Sequence, residues 1–92
     1  YLSAEEKQAA VILSKALKQA LGSYKNGEHN KDNIISLVTK TIESEKLANI
    51  EYVECYGLPG LYSLDKEIKA PSLLAVAVRF GNTRLIDNII LE

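Results

Sequence analysis

Apolar residues recur at helical spacing along the first quarter of the chain. Ala10, Leu13, Leu17, Ala20, Leu21 and Tyr24 fall on one face, and Lys7, Gln8, Ser14, Lys15, Lys18 and Gln19 on the other. This predicts a helix from Ser3 to about Asn26. Ser3 with Glu6 three positions later has the form of a capping box, and Glu5 adds negative charge to the first turn. Tyr24 continues the stripe past Gly22, so that glycine is carried inside the helix at a cost of roughly 1 kcal/mol. Gly27-Glu28-His29-Asn30 reads as a turn. Asn30 or Asp32 then caps a second helix, with Ile34, Ile35, Val38 and Ile42 as its apolar face and an end near Lys46. So short a connection makes the two helices antiparallel neighbours.

From Ile50 the period falls to two. Ile50, Tyr52, Glu54 and Tyr56 alternate with Glu51, Val53 and Cys55, which predicts a strand of about seven residues. Gly57-Leu58-Pro59-Gly60 breaks it. Leu61 to Pro71 is charged and irregular, with room for one helical turn. Ser72 to Phe80 is almost wholly apolar and reads as a central strand covered on both faces. Gly81-Asn82 is a hairpin signal, and Thr83 to Leu91 is the returning strand. Helices followed by strands indicate an α+β fold: two antiparallel helices packed on a three-stranded antiparallel sheet ending in a hairpin.

Composition sharpens this picture only in places. The 92 residues make one small domain, and 47% hydrophobic with 25% charged residues is ordinary for a globular fold. A net charge of -1 gives no electrostatic support for a nucleic-acid partner. No apolar run approaches the roughly 18 residues of a membrane span, and the opening Tyr1-Leu2-Ser3-Ala4-Glu5-Glu6 lacks the form of a signal peptide. The chain contains no methionine, which reads as a fragment or a processed product of a longer protein.

Candidate chemistry is sparse. Cys55 is the only cysteine, so no internal disulfide forms, which fits a reducing compartment. It reads as a small buried hydrophobe on its strand, and the only histidine, His29, as a solvated loop residue. One Cys and one His do not make a metal site without many carboxylates. Tyr52, Tyr56 and Tyr62 lie among Glu51, Glu54 and Asp65, which disfavours a nucleic-acid platform. No glycine-rich phosphate loop and no nucleophile beside a base occur, so no catalytic, cofactor-binding or metal-binding residue is assigned.

Arg79 and Arg84 are the only arginines among 11 basic residues, and they flank the hairpin turn. A two-residue loop places them opposite one another, where like charges destabilise the ladder. Either an anion separates them or the loop is longer. A structural reading pairs them with a carboxylate such as Asp87 or a helix glutamate; a functional one makes them an anion contact at the hairpin tip. Strand alternation sends Arg84 and Asp87 to opposite faces. Arg84 is expected to meet a carboxylate or carbonyls of other strands. Asp87 is expected to accept from backbone amides or a hydroxyl near the start of the domain. Both would then pin the hairpin under the helices.

Several of these segments resemble the C-terminal domain of the pantoate–β-alanine ligase family. They are Tyr1-Leu2-Ser3 with Glu5-Glu6, Gly27-Glu28, Ile50-Glu51-Tyr52-Val53-Glu54, Leu74 to Val78, and Gly81 with Thr83-Arg84-Leu85-Ile86-Asp87-Asn88. The segment Gly57 to Glu67 departs from the family pattern. The resemblance implies an intact enzyme that uses ATP and Mg2+ to activate pantoate as an acyl adenylate, which the β-alanine amine attacks to give pantothenate and AMP. It implies a cytoplasmic homodimer with no membrane or nucleic-acid partner. The family's catalytic motifs stand on an N-terminal Rossmann-like domain, and none of their residues is present here. By resemblance, residues 1–92 are a lid, partnered by that catalytic domain, binding no cofactor and inactive alone. A stand-alone α+β protein-interaction module is the alternative.

Overall fold

The computed structural model describes residues 4–92, apart from the side chain of Glu5. Two helices, α1 (Ala4–Lys25) and α2 (Lys31–Glu43), precede four strands: β1 (Ala48–Gly57), β2 (Tyr62–Ser63), β3 (Ser72–Phe80) and β4 (Thr83–Leu91). The sheet is antiparallel, in the order β2-β1-β3-β4. The α+β class stands, with one strand more than expected: the short β2 lies in the Leu61–Pro71 stretch, where the sequence leaves room for a helical turn.

Helix α1 runs through Gly22 as its apolar stripe requires. Its buried residues are Ala9, Leu13, Ala16, Leu17, Ala20 and Tyr24, so Ala9 takes the place the periodicity assigns to Ala10. The capping-box residue Ser3 lies outside the described residues. Asn30 caps α2, its side-chain oxygen accepting from the Asn33 amide at 3.0 Å. This satisfies one of the donors that a helix start leaves without an intrahelical partner. Ile34, Val38 and Ile42 are fully buried, and the helix stops at Glu43, short of Lys46.

Both helices lie against one face of the sheet. On that face β3 contributes Ser72, Leu74, Val76, Val78 and Phe80, all buried, and β4 contributes Leu85, Ile89 and Leu91. Among the described residues no helix covers the other face, so β3 is central but covered on one side only. The expectation of two-sided cover fails because both helices pack against the same face. Alanines at positions 75 and 77 alternate with the larger valines that fill the core.

The irregular segment is tied down along its middle. Leu64 and Ile68 are buried in the core. The Lys31 amide donates to the Lys66 carbonyl at 2.8 Å, and the Ile68 amide to the His29 carbonyl at 2.7 Å. The His29 ring is tilted against Tyr24, their centroids 4.6 Å apart, while the residue itself stays exposed. Across the β1–β2 pair, Tyr62 covers Gly57, where a Cβ would collide with its ring. A bare glycine under an aromatic ring closes this corner of the sheet.

Candidate site on the open face of the sheet

Alternation places Tyr52, Glu54 and Tyr56 of β1, Leu73, Ala75, Ala77 and Arg79 of β3, and Arg84, Ile86, Asn88 and Ile90 of β4 on the face away from the helices. Ile86 is 57% exposed and Ile90 45%. Asn88 stands between these two isoleucines and Glu54 lies opposite Ala75, so a polar row crosses the apolar residues, and Ala77 among them is fully buried.

The turn has two residues, and Gly81 takes a φ of 57° there. Arg79 and Arg84 therefore face each other directly across the ladder. The anion that separates them is Glu51. Its carboxylate accepts from Arg84 Nε at 2.6 Å and lies 3.4 Å from Arg79 Nη2. The partner is thus neither Asp87 nor a helix glutamate but a residue of β1.

Glu51 reaches both guanidiniums because β1 is bulged. Ile50 pairs with Val78 and Tyr52 with Ala77, so Glu51 has no partner of its own on β3. An inserted residue bends the strand and re-aims a side chain. It also shifts the pleat: Ile50 turns inward and packs against the core, while Tyr52 points outward. The simple alternation that puts Ile50 and Tyr52 on one face is corrected by this single residue.

The electrostatics follow from these contacts. The Arg84 hydrogen bond holds the Glu51 carboxyl below its ordinary range, helped by the charges of Arg84 and Arg79. Arg84 is pushed further up in return, first by that hydrogen bond and then by the Glu51 charge. Tyr56 Oη donates to Glu54 Oε2 at 2.5 Å, and this bond, with burial and the carboxylate charge, raises the phenol. The charges on this face are therefore partnered within it.

Asp87 and Arg84 point to opposite faces, as alternation requires. Asp87 lies half-buried on the helix side, opposite Val76, and accepts from the Asn88 amide at 2.8 Å. An amide partner was expected, but this one is Asp87's own neighbour; any hydroxyl of Ser3 lies outside the described residues. Arg84 meets a strand carboxylate, as expected, but on the solvent side. It does not pin the hairpin under the helices.

Cys55 is buried on the helix side, and burial pushes its thiol up. It borders a shallow cleft of about 170 Å³ with Lys31, Ile35 and Leu64. The Lys31 Nζ there is already committed to the Leu64 carbonyl at 2.7 Å. A raised thiol beside an occupied amine is a poor nucleophile at neutral pH. Among the described residues no group of three or more His, Cys, Asp or Glu side chains could hold a metal ion. No described helix is long and apolar enough to cross a membrane.

Comparison with known proteins gives a consistent result. The family model for pantoate-beta-alanine ligase matches residues 1–90. A pantothenate synthetase of Pelotomaculum thermopropionicum is 46% identical over 91 residues, covering 99% of this chain and 32% of the relative. One from Acetivibrio thermocellus is 48% identical over 92 residues, covering 100% of this chain and 32% of the relative. The crystal structure of pantothenate synthetase from Thermus thermophilus superposes with a TM-score of 0.86, covering 99% of this chain and 32% of that one. At 23% identity that likeness speaks for the fold alone. The chain thus spans about a third of the length of the curated relatives it matches. A stand-alone interaction module is not favoured by these likenesses.

Proposed function

The chain belongs to the pantoate–β-alanine ligase family, and from that membership we propose that residues 1–92 form the C-terminal lid domain of an ATP-dependent ligase. The intact enzyme would join pantoate to β-alanine through a pantoyl adenylate, as a cytoplasmic homodimer using ATP and Mg2+. The observation that carries this reading is a family match along residues 1–90 of a chain only a third as long as its relatives.

The division of labour follows from the side chains. No nucleophile paired with a base and no phosphate-cradling loop is present in this sequence. ATP, magnesium and the reacting carboxylate would therefore be held by the remainder of the ligase, and the lid would supply no catalytic residue. Its contribution would be exclusion of water. An acyl adenylate is hydrolysed wherever water reaches it, and a domain that closes over it protects it until the amine arrives. A helix-backed sheet suits this task, because its core keeps the covering face rigid while the whole body moves.

The test is pantoate-dependent exchange of labelled pyrophosphate into ATP. The full-length protein carrying this sequence should catalyse exchange, and should form pantothenate when β-alanine is added. The 92-residue chain alone should do neither. Exchange by the isolated chain, or none by the full-length protein, would overturn the proposal.

A further inference from the structure

Strand β4 is an outer strand of the sheet, and among the described residues no strand pairs with its far side. The other outer strand, β2, is only two residues long, too short to receive a neighbour. β4 has nine residues, five of them leucine or isoleucine, with no proline or lysine to keep a neighbour away. A long apolar edge with free amides and carbonyls is a template for another chain. The turn settles which of those groups are free. Phe80 and Thr83 close a two-residue hairpin, so Thr83, Leu85, Asp87, Ile89 and Leu91 turn their backbone groups toward β3. Arg84, Ile86, Asn88 and Ile90 turn theirs outward. The middle of that outward row is not bare, because the Asn88 amide donates to Asp87 Oδ1 at 2.8 Å. A side chain that takes a backbone amide for itself withdraws it from any ladder. Packing alone gives no reason for a carboxylate there: Asp87 is the charged residue of an inner row otherwise made of Thr83, Leu85, Ile89 and Leu91, and it lies opposite Val76.

The chain that fits this edge is a second copy of itself. An isologous antiparallel pairing of β4 with its twin, centred on Asn88, sets Ile86 against Ile90 and Arg84 against Glu92 across the join. Apolar meets apolar, positive meets negative, and no like charges face each other. In that register the central pair is Asn88 with Asn88, and each strand must give its Asn88 amide to the other's carbonyl. We infer that Asp87 guards the free edge of β4: by holding the Asn88 amide it keeps this strand from pairing with β4 of a second copy. This role is independent of the lid reading.

Sedimentation velocity of the full-length protein tests this. Wild type should keep one sedimentation coefficient over a wide range of concentration, whereas Asp87→Ala should form a larger species as concentration rises. Asp87→Asn, which keeps an acceptor for the amide, should stay with wild type. Adding Ile86→Lys to Asp87→Ala sets a charge against Ile90 and should reverse the association. An Asp87→Ala protein of wild-type size at every concentration would overturn the inference. So would an Asp87→Asn protein that associates equally, or association that Ile86→Lys leaves intact, the mark of aggregation through other surfaces. Amide exchange in the wild-type protein gives a second reading that no misfolded variant can confuse. The Asn88 amide should exchange several-fold more slowly than those of Ile86 and Ile90 on the same edge, once their intrinsic rates are allowed for. Equal rates would overturn the inference, as would slow exchange at all three, which would mean that another segment already covers the edge.

Discussion

The two sides of β4 carry one sequence and two sets of rules. Leu85, Ile89 and Leu91 turn toward the helices and are fixed by packing, while Arg84, Ile86, Asn88 and Ile90 turn outward. On the inner side a residue's worth is set by how completely its neighbours enclose it. On the outer side it is set by what the domain meets. The same contrast separates the two polar residues of the resembling run. Asp87 is held on the helix side by a local amide, and Arg84 on the open side by a carboxylate from a strand two positions away in the sheet. Proximity in sequence says little about shared duty when the pleat sends neighbours apart.

The sharpest way to break this comparison is a pair of truncations. Phe80→Ala on the inner side should cost about 3–5 kcal/mol, a large share of a small domain's stability. Ile86→Ala on the outer side should change it by less than about 0.5 kcal/mol. Urea midpoints of the two variants compare them directly, and similar shifts would mean that the open face is not open in solution.

Asp87→Ala should cost an intermediate amount, about 1 kcal/mol, for one hydrogen bond to a half-buried carboxylate. Asp87→Asn keeps an acceptor and should recover most of the loss in a thermal unfolding series. A loss as large as that of Phe80→Ala would show that Asp87 has further partners on the inner side.

The smallest effect belongs to Glu51. Its folded pKa lies below its unfolded value, so its contribution is fully present above the ordinary carboxylate range and is lost as pH falls through the depressed value. Wild type and Glu51→Gln should therefore differ slightly in unfolding midpoint at neutral pH and converge in acid. High salt should shrink the difference too, because the ion pairs are exposed. A gap that persisted at low pH would remove the carboxylate from the account.

Much of this architecture was legible from residue spacing. The helical stripes gave α1 and α2, with Asn30 as one of two candidate caps, and Gly81-Asn82 gave a hairpin turn, which the structure shows to be the two-residue form that sets Arg79 opposite Arg84. Cys55 proved to be the buried strand residue that its neighbours suggested. Three features were not legible, each for a physical reason. Strand β2 is two residues long, too short for any period to register. The anchors Leu64 and Ile68 are single apolar residues in a charged segment, fixed by tertiary contacts with the α1–α2 turn. The anion between the arginines lies some thirty residues away in sequence, brought there by a bulge that a period-two reading treats as regular strand.

That bulge also sets where the chain can change length. Along a regular strand, removing one residue inverts the phase of everything beyond it and exchanges inside for outside. At Glu51 the arithmetic differs, because the residue is supernumerary. Ile50 and Tyr52 already occupy successive rungs of the ladder against Val78 and Ala77. Excising Glu51 would leave every other side chain of β1 on its present side, and only the bridge between the two arginines would go. A single extra residue thus serves as a detachable electrostatic fitting on a frame whose parity does not depend on it.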